Sequence, residues 1–296
     1  MVIVNLKGGL GNQMFQYAAA RSLTNKNGPV YANHKFLEKS NASSDNFTAR
    51  SYELNIFSEL KIKKANSNLL NIFLSETRGY KIIRGLRFGR VQKIIQQENE
   101  FIDGWDNIKG SVYLDGYFVS EEYFKNIRNI LFEEFAFPEA NEKNKAIAQR
   151  INSFRNPISI HVRRGDYLKP LTQNYHGLLP TKYYKEAMEE VEKKIIDPFY
   201  FIFSDDPGWC QEFFFSDLKN YEVVNINDPA TAWQDMYLMT LCKHHIIANS
   251  TFSWWGAWLC QKEEQLNIAP SHWFNPAIAK FDIRHIIPSS WHIIEI

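Results

Sequence analysis

The sequence predicts an α/β protein whose second half is a parallel, doubly wound sheet. Three observations carry that prediction. The chain opens as strand, glycine turn and helix; strands and helical patterns alternate regularly after Pro157; and the run from Phe199 to Phe203 is apolar throughout, as a strand buried on both faces must be.

The first strand is expected at Val2 to Leu6, the turn at Lys7 to Gly11 and the helix at Asn12 to Leu23, with a short strand at Pro29 to Ala32 completing a βαβ start. Between Asn41 and Glu100, polar clusters such as Asn41 to Asp45 and Asn66 to Asn68 interrupt short apolar pieces, and no element is assigned. A strand returns at Ser111 to Asp115 and a helix at Glu121 to Phe132. Pro138 then precedes a polar helical pattern from Asn141 to Ile151, which places an N-terminal domain at 1–150 and a C-terminal domain at 151–296. Beyond it, strands are expected at Ile158 to Val162, Phe199 to Phe203, Glu222 to Ile226, His245 to Ala248 and Asn267 to Ala269. Helices are expected between them at Thr181 to Ile195, Gly208 to Phe214, Thr231 to Cys242 and Phe252 to Cys260. Such sheets bind ligands beyond the carboxyl ends of their strands, so the residues after each strand are where chemistry is sought.

The 296 residues suit about two domains. With 34 Lys+Arg against 33 Asp+Glu and 45% hydrophobic residues, the composition is globular and excludes disorder and small disulfide scaffolds. A net charge of +1 argues against nucleic acid as the main partner. The 22 Phe, 14 Tyr and 8 Trp exceed the needs of a plain α/β core; a bulky core explains most of them, and a sugar-handling surface is the alternative. Cys210, Cys242 and Cys260 form no CxxC pair and read as reduced, packed thiols of a cytosolic protein. The opening apolar run is broken at Asn5 and Lys7, so no signal peptide is expected, and no apolar stretch of roughly 18 residues follows to span a membrane.

Three strand ends carry candidate chemistry. His161-Val162-Arg163-Arg164-Gly165-Asp166-Tyr167 follows the strand at Ile158. Adjacent side chains on an extended segment point to opposite faces, so one arginine should meet a ligand while the other braces the loop. Arginine suits bidentate phosphate recognition, at about 1.5–3 kcal/mol per charge-assisted hydrogen bond; a surface loop closed by its own salt bridges explains the segment equally well. Ser204-Asp205-Asp206 can accept from a nucleobase or ribose, or cap a helix starting near Pro207, and capping is the commoner use. No Asp-x-Asp occurs, so a metal-held nucleotide-sugar site of that kind is unsupported. Asn249-Ser250-Thr251-Phe252-Ser253-Trp254-Trp255 places hydroxyls at a helix N-terminus, a natural anion site, while Trp254 and Trp258 share a helical face and are assigned to the core.

At the N-terminus, Gly8-Gly9-Leu10-Gly11-Asn12-Gln13 lacks the third glycine and the later acid of a dinucleotide turn. Gly-Lys-Ser/Thr is also missing, so neither a nicotinamide or flavin site nor a P-loop is supported. What remains is a turn through which Gly9, Gly11 and the Asn12 and Gln13 amides approach a ligand. Basic residues at 78, 81, 84, 87, 90 and 93 form a run without acids. A spacing of three drifts around a helix, so the run reads as a solvated basic element; the alternative is attraction to an anionic membrane or a lipid-linked acceptor, for which only one of the two usual signals is visible.

Gly8 to Tyr17, His161 to Tyr167, Ser204-Asp205-Asp206 and Asn249 to Trp255, in that order, closely resemble the motifs of the α-1,2-fucosyltransferases of glycosyltransferase family 11. The resemblance implies a GT-B architecture of two facing Rossmann-like domains, acceptor domain first and GDP-fucose domain second. It implies inverting, metal-independent transfer of fucose from GDP-fucose to the 2-hydroxyl of a terminal galactose, with no cofactor. By the same resemblance Arg163 holds the donor phosphates, His161 contacts guanine, and Asp206 accepts from the guanine N–H groups. Ser250, Thr251 and Ser253 complete the phosphate cradle, and Gly9, Gly11, Asn12 and Gln13 face fucose or the acceptor. Asp166 is read either as the general base or, with slightly more weight, as the partner that orients Arg164. The likeness to bacterial members implies a galactose-terminated glycan acceptor in surface polysaccharide or O-antigen synthesis, a cytoplasmic location, and peripheral membrane association through a lipid-linked acceptor. The competing readings are a transferase of other donor or linkage, and a non-catalytic glycan-binding module. Glycoside hydrolysis lacks a pair of carboxylates that can be placed about a glycosidic bond.

Overall fold

The computed structural model describes residues 1–25, 28–39, 48–214, 218–279 and 284–296, with the side chains of 213 and 214 left aside. The polar cluster Asn41 to Asp45 therefore lies outside the described residues. The first unit contains β1 (Val2–Asn5), α1 (Leu10–Ser22), β2 (Val30–Asn33), α2 (Lys35–Lys39), β3 (Ile62–Lys64), α3 (Ser67–Leu74), α4 (Arg78–Phe88), β4 (Val91–Ile95), β5 (Ser111–Asp115) and α5 (Arg128–Glu134). The second contains α6 (Glu142–Ser153), β6 (Pro157–Val162), α7 (Pro170–His176), α8 (Thr181–Lys194), β7 (Phe199–Ser204), α9 (Pro207–Trp209), β8 (Tyr221–Val224), α10 (Trp233–Leu241), β9 (His244–Ile246), α11 (Thr251–Trp258), β10 (Asn267–Pro270) and β11 (His292–Ile294).

Each unit is built on its own parallel sheet, ordered β3-β2-β1-β5-β4 in the first and β11-β10-β9-β6-β7-β8 in the second. The expected α/β class with two parallel-sheet domains is what the chain adopts. In the second sheet β6 is buried at every position. Ile158, Ile160, Val162, Tyr200 and Ile202 pack with Tyr183, Tyr184, Ala187 and Val191 of α8 on one face. The alternate residues Phe201 and Phe203 pack on the other face with Ala148 and Ile151 of α6 and Leu238 and Met239 of α10. Helices on both faces are what an apolar parallel strand requires. Trp254, Trp255 and Trp258 of α11 are fully buried, as core tryptophans should be.

The first sheet turns Ile3 and Tyr113 toward Leu70 and Phe73 of α3. Its α1 lies against β1 and buries most of its circumference, from Leu10 to Arg21. Arg21 and Glu134 form a buried ion pair at 3.0 Å, to which the Tyr17 hydroxyl donates at 2.7 Å, so the charge in this core is fully partnered.

Several boundaries differ from expectation. The chain divides after Pro138, and α6 belongs to the second unit because its apolar stripe of Ala148 and Ile151 covers that sheet. A short C-terminal stretch that includes His285 and Ile286 joins the first unit. The helix expected at Glu121 to Phe132 is two short 3-10 turns, Glu121–Tyr123 and Lys125–Ile127, followed by α5. Residues 62–95, for which the sequence offers no assignment, hold β3, α3, α4 and β4. The three cysteines are buried and form no disulfide.

Candidate active site

In the second sheet the chain runs outward from β6 through β7 to β8, then returns to β9 on the other side of β6. The carboxyl ends of β6 and β9 therefore flank the topological switch point, where open α/β sheets accept ligands. The segment after β6 carries His161 to Tyr167, the segment after β9 carries Asn249 and Ser250, and the segment after β7 carries Asp205 and Asp206. The register that sets Val162 opposite Ser204 brings the β6 and β7 segments together.

Arg163 is held from two sides. Its Nη2 donates to Asp166 Oδ1 at 2.5 Å, and its Nη1 lies 2.9 Å from Asp205 Oδ2. Burial opposes its charge, but the Asp205 and Asp166 carboxylates outweigh it and raise its pKa further, so the guanidinium stays charged. The other oxygen of Asp205 accepts from the Arg164 backbone N–H at 2.8 Å. A Cβ on Gly165 would lie 2.6 Å from that carboxylate, which is why glycine stands there. Arg164 turns elsewhere: its Nε donates to Asp206 Oδ2 at 3.1 Å and its guanidinium covers the Trp209 ring at 4.0 Å. The two adjacent arginines thus serve different partners, as extended backbone demands.

Two expected roles change. Asp166 does not orient Arg164; it braces Arg163, because the 3-10 turn Asp166–Leu168 folds its side chain back along the loop. Asp206 takes the capping role: its Oδ1 accepts from Trp209 N–H at 3.2 Å and its Oδ2 from Arg164, so both oxygens already have donors. Asp205, expected with Asp206 to accept from a ligand or to cap the helix at Pro207, is the carboxylate that positions Arg163.

His161 is 5% exposed, its Nδ1 has no partner, and its ring lies 5.7 Å from that of Phe252 in α11. Burial, aided by the neighbouring Arg163 charge, lowers its pKa to about 3, so it is neutral. Tyr167 ties the two sides of the switch point together, donating from its hydroxyl to Asn249 O at 2.9 Å. His176, at the end of α7, stacks on Tyr167 at 4.9 Å and also keeps an unpartnered Nδ1. Asn249 donates to His176 O at 3.0 Å. At the start of α11, Ser250 accepts from Phe252 N–H, Ser253 Oγ donates to Ser250 O at 3.3 Å, and Thr251 is half-buried. His161, Arg163, Asp166, Ser250, Thr251 and Ser253 therefore surround one switch point. Tyr167, His176 and Asn249 join them, and only the β6-to-β9 adjacency reveals that.

The N-terminal turn is used differently. Gly8 has φ +78°, a conformation suited to glycine, and Asn12 folds back over it. Gln13 is fully buried: its Nε2 donates to Gly8 O at 2.9 Å and Ser51 O at 2.7 Å, and its Oε1 accepts from Glu53 N–H at 3.0 Å. The Glu53 carboxylate in turn accepts from Leu10 N–H at 3.0 Å, at the start of α1 next to Gly9. The expectation that Gln13 faces a ligand gives way to an internal clamp; Gly11 is buried beside it, and Asn12 alone keeps an amide with no hydrogen bond among the described residues. The switch point of this first sheet lies between β1 and β5. There Asp115 accepts from Asn5 at 3.2 Å and pairs with Lys7 at 3.0 Å, and Asn33 donates to Asn5 at 3.1 Å.

Residues 1–295 match the model of glycosyl transferase family 11. The O-antigen biosynthesis glycosyltransferase WbnK of Escherichia coli is 33% identical over 290 residues, covering 91% of this chain and 93% of that protein. The alpha-1,2-colitosyltransferase of Escherichia coli is 31% identical over 301 residues, covering 100% and 99%. Among solved structures, a mutant of Arabidopsis thaliana FUT1 in complex with GDP has a TM-score of 0.47 at 13% identity, covering 94% of this chain and 72% of that one. The fucosyltransferase NodZ from Bradyrhizobium has a TM-score of 0.46 at 13% identity, covering 86% and 91%.

Proposed function

The chain belongs to glycosyltransferase family 11, and on that premise we propose that it transfers L-fucose from GDP-fucose to the 2-hydroxyl of a terminal galactose, with inversion and without a metal. The observation that carries this reading is Arg163, held charged between Asp166 and Asp205 at the switch point of the second sheet. As the glycosidic bond to the donor breaks, negative charge grows on departing GDP. A fixed guanidinium fork and the N-terminus of α11 meet that charge without reorganising. Ser250, Thr251 and Ser253 stand at that helix start, and neutral, buried His161 offers its unpartnered nitrogen to the base. Asp206 is assigned to bracing Arg164 instead of reading guanine.

The acceptor is assigned to the first unit, where Asn5, Lys7 and Asp115 end β1 and β5 with the hydrogen-bonding groups a pyranose needs, and Asn12 lies nearby in sequence. Two relatives matched over most of both chains are named for O-antigen biosynthesis and α-1,2 colitosyl transfer, which supports a surface polysaccharide as acceptor and admits a colitosyl donor as the second reading; the acceptor's galactose terminus and lipid linkage belong to the proposal alone. No helix among the described residues is long and apolar enough to cross a membrane.

The test is GDP release from GDP-fucose with and without a β-galactoside, in EDTA, with the product linkage read by NMR. Galactoside-dependent release that survives chelation, with an α-1,2 product, is expected. Release only from GDP-colitose would move the reading to that donor, and failure to bind either donor would overturn it.

A further inference from the structure

The basic run from Arg78 to Lys93 folds in a way that its spacing alone does not predict. Tyr80, Arg84 and Phe88 lie four apart on one stripe of α4 and face α3: Tyr80 and Phe88 join the cluster around Phe73, with the Phe73 and Phe88 rings 5.1 Å apart. Arg84 points inward too, donating to Phe73 O at 3.0 Å. The opposite stripe, Gly79, Ile82, Ile83 and Leu86, faces outward. Ile82 is 55% exposed, Ile83 44% and Leu86 86%, and α4 buries no residue at all. A free-standing apolar stripe of this kind calls for a cover.

Charge says what kind of cover. No acid occurs from Thr77 to Gln97. Lys81 and Lys93 are paired with Glu76 at 3.1 and 2.7 Å, outside the helix, while Arg78, Arg87 and Arg90 make no ion pair among the described residues. On the helical wheel Arg78 borders the Ile82–Leu86 stripe on one side and Arg87 borders Ile83 on the other. Apolar side chains flanked by unpaired arginines match the acyl boundary and the anionic headgroups of a lipid surface. The sequence alone displays the basic signal; the structure supplies the apolar one, and reversible attachment needs both.

We infer that the outward face of α4 docks this protein on an anionic membrane, with Ile82, Ile83 and Leu86 entering the interface and Arg78, Arg87 and Arg90 meeting lipid phosphates. The inference adds to the proposed function the surface on which a lipid-linked acceptor is met, and its readout is binding, so it stands or falls apart from transfer. The experiment is co-sedimentation of the full chain with vesicles of equal parts phosphatidylglycerol and phosphatidylcholine, against phosphatidylcholine alone. Turnover with a soluble galactoside is followed in parallel, and folding is checked by circular dichroism.

Wild-type protein should partition onto the anionic vesicles and be released by high salt. Ile82→Asp with Leu86→Asp should reduce the partition coefficient roughly tenfold or more, and Arg78→Gln and Arg87→Gln by about fivefold each. Soluble turnover should not change. Absence of preference for anionic vesicles, or equal binding by the folded variants, would overturn the inference. So would a dimer in sedimentation velocity that Leu86→Asp dissolves, since a second copy would then cover the stripe.

Discussion

Replacing Gln13 with alanine separates the ligand-facing reading of the N-terminal turn from the clamp the structure contains. The side chain is fully buried and makes three hydrogen bonds, to Gly8 O at 2.9 Å, Ser51 O at 2.7 Å and from Glu53 N–H at 3.0 Å. Truncation leaves those backbone groups without their partner and opens a void at the foot of α1. At about 1 kcal/mol per net hydrogen bond plus a cavity contribution, the loss should be roughly 3–4 kcal/mol. For a cooperative unit near 140 residues this corresponds to a fall of about 10 °C in Tm. The assay is thermal and urea unfolding followed by circular dichroism, with GDP-release kinetics measured well below the transition. A ligand-facing glutamine would instead raise KM for the acceptor and leave Tm alone. A Tm within about 2 °C of wild type would refute the clamp.

Other outcomes follow from the same geometry. Arg163→Lys keeps one charge but cannot bridge Asp166 and Asp205 together, and should lower kcat roughly 100-fold with little change in Tm; near-normal turnover would remove Arg163 from donor activation. Asp166→Asn should reduce turnover by roughly tenfold while leaving the pH profile unchanged if Asp166 only braces Arg163, whereas loss of the acidic limb of the profile would make it the base. Burial lowers the pKa values of His161 and His245 to about 3, both in the second unit. The unfolded chain binds these two protons as pH falls below the ordinary value near 6.5 while the fold does not, so stability is full above that pH and declines below it. The expected loss is roughly 2 kcal/mol per histidine by pH 5, and a Tm that is constant between pH 7 and 5 would contradict it.

What the sequence displayed depended on how far apart the partners lie along the chain. β6 and β7 were legible because helices cover both faces, so β7 is apolar from Phe199 to Phe203 and β6 carries Ile158, Ile160 and Val162 toward α8. α4 was not, since it turns Arg84 inward and Leu86 outward, the reverse of an ordinary surface helix. The Glu121 helix was expected as one piece because its composition is helical, yet Ser120 caps only a single 3-10 turn and the non-helical backbone of Phe124 ends it. In the site, Arg163 and the α11 start could be found from local motifs. The choice of Asp205 as its partner could not, because that pairing is set by the register of β6 against β7 across some forty residues. Gln13 was misplaced for the same reason: its partners lie in the loop at Ser51 and Glu53.

Glu53 has a consequence for how the two sheets divide their labour. Both units offer the same elementary device, a strand feeding a helix whose first N–H groups attract negative charge. In the first unit the chain has filled that place itself, with a carboxylate on Leu10 N–H; in the second the cap on α11 is the neutral Ser250 hydroxyl. A tethered carboxylate acts as a competitor at roughly millimolar local concentration or more, always present and never washed out. On the proposed reading, a nucleotide diphosphate would be turned away from the first helix start by a carboxylate of the chain itself and met at the second by a neutral hydroxyl, so the fold would exclude its donor from one of two like places.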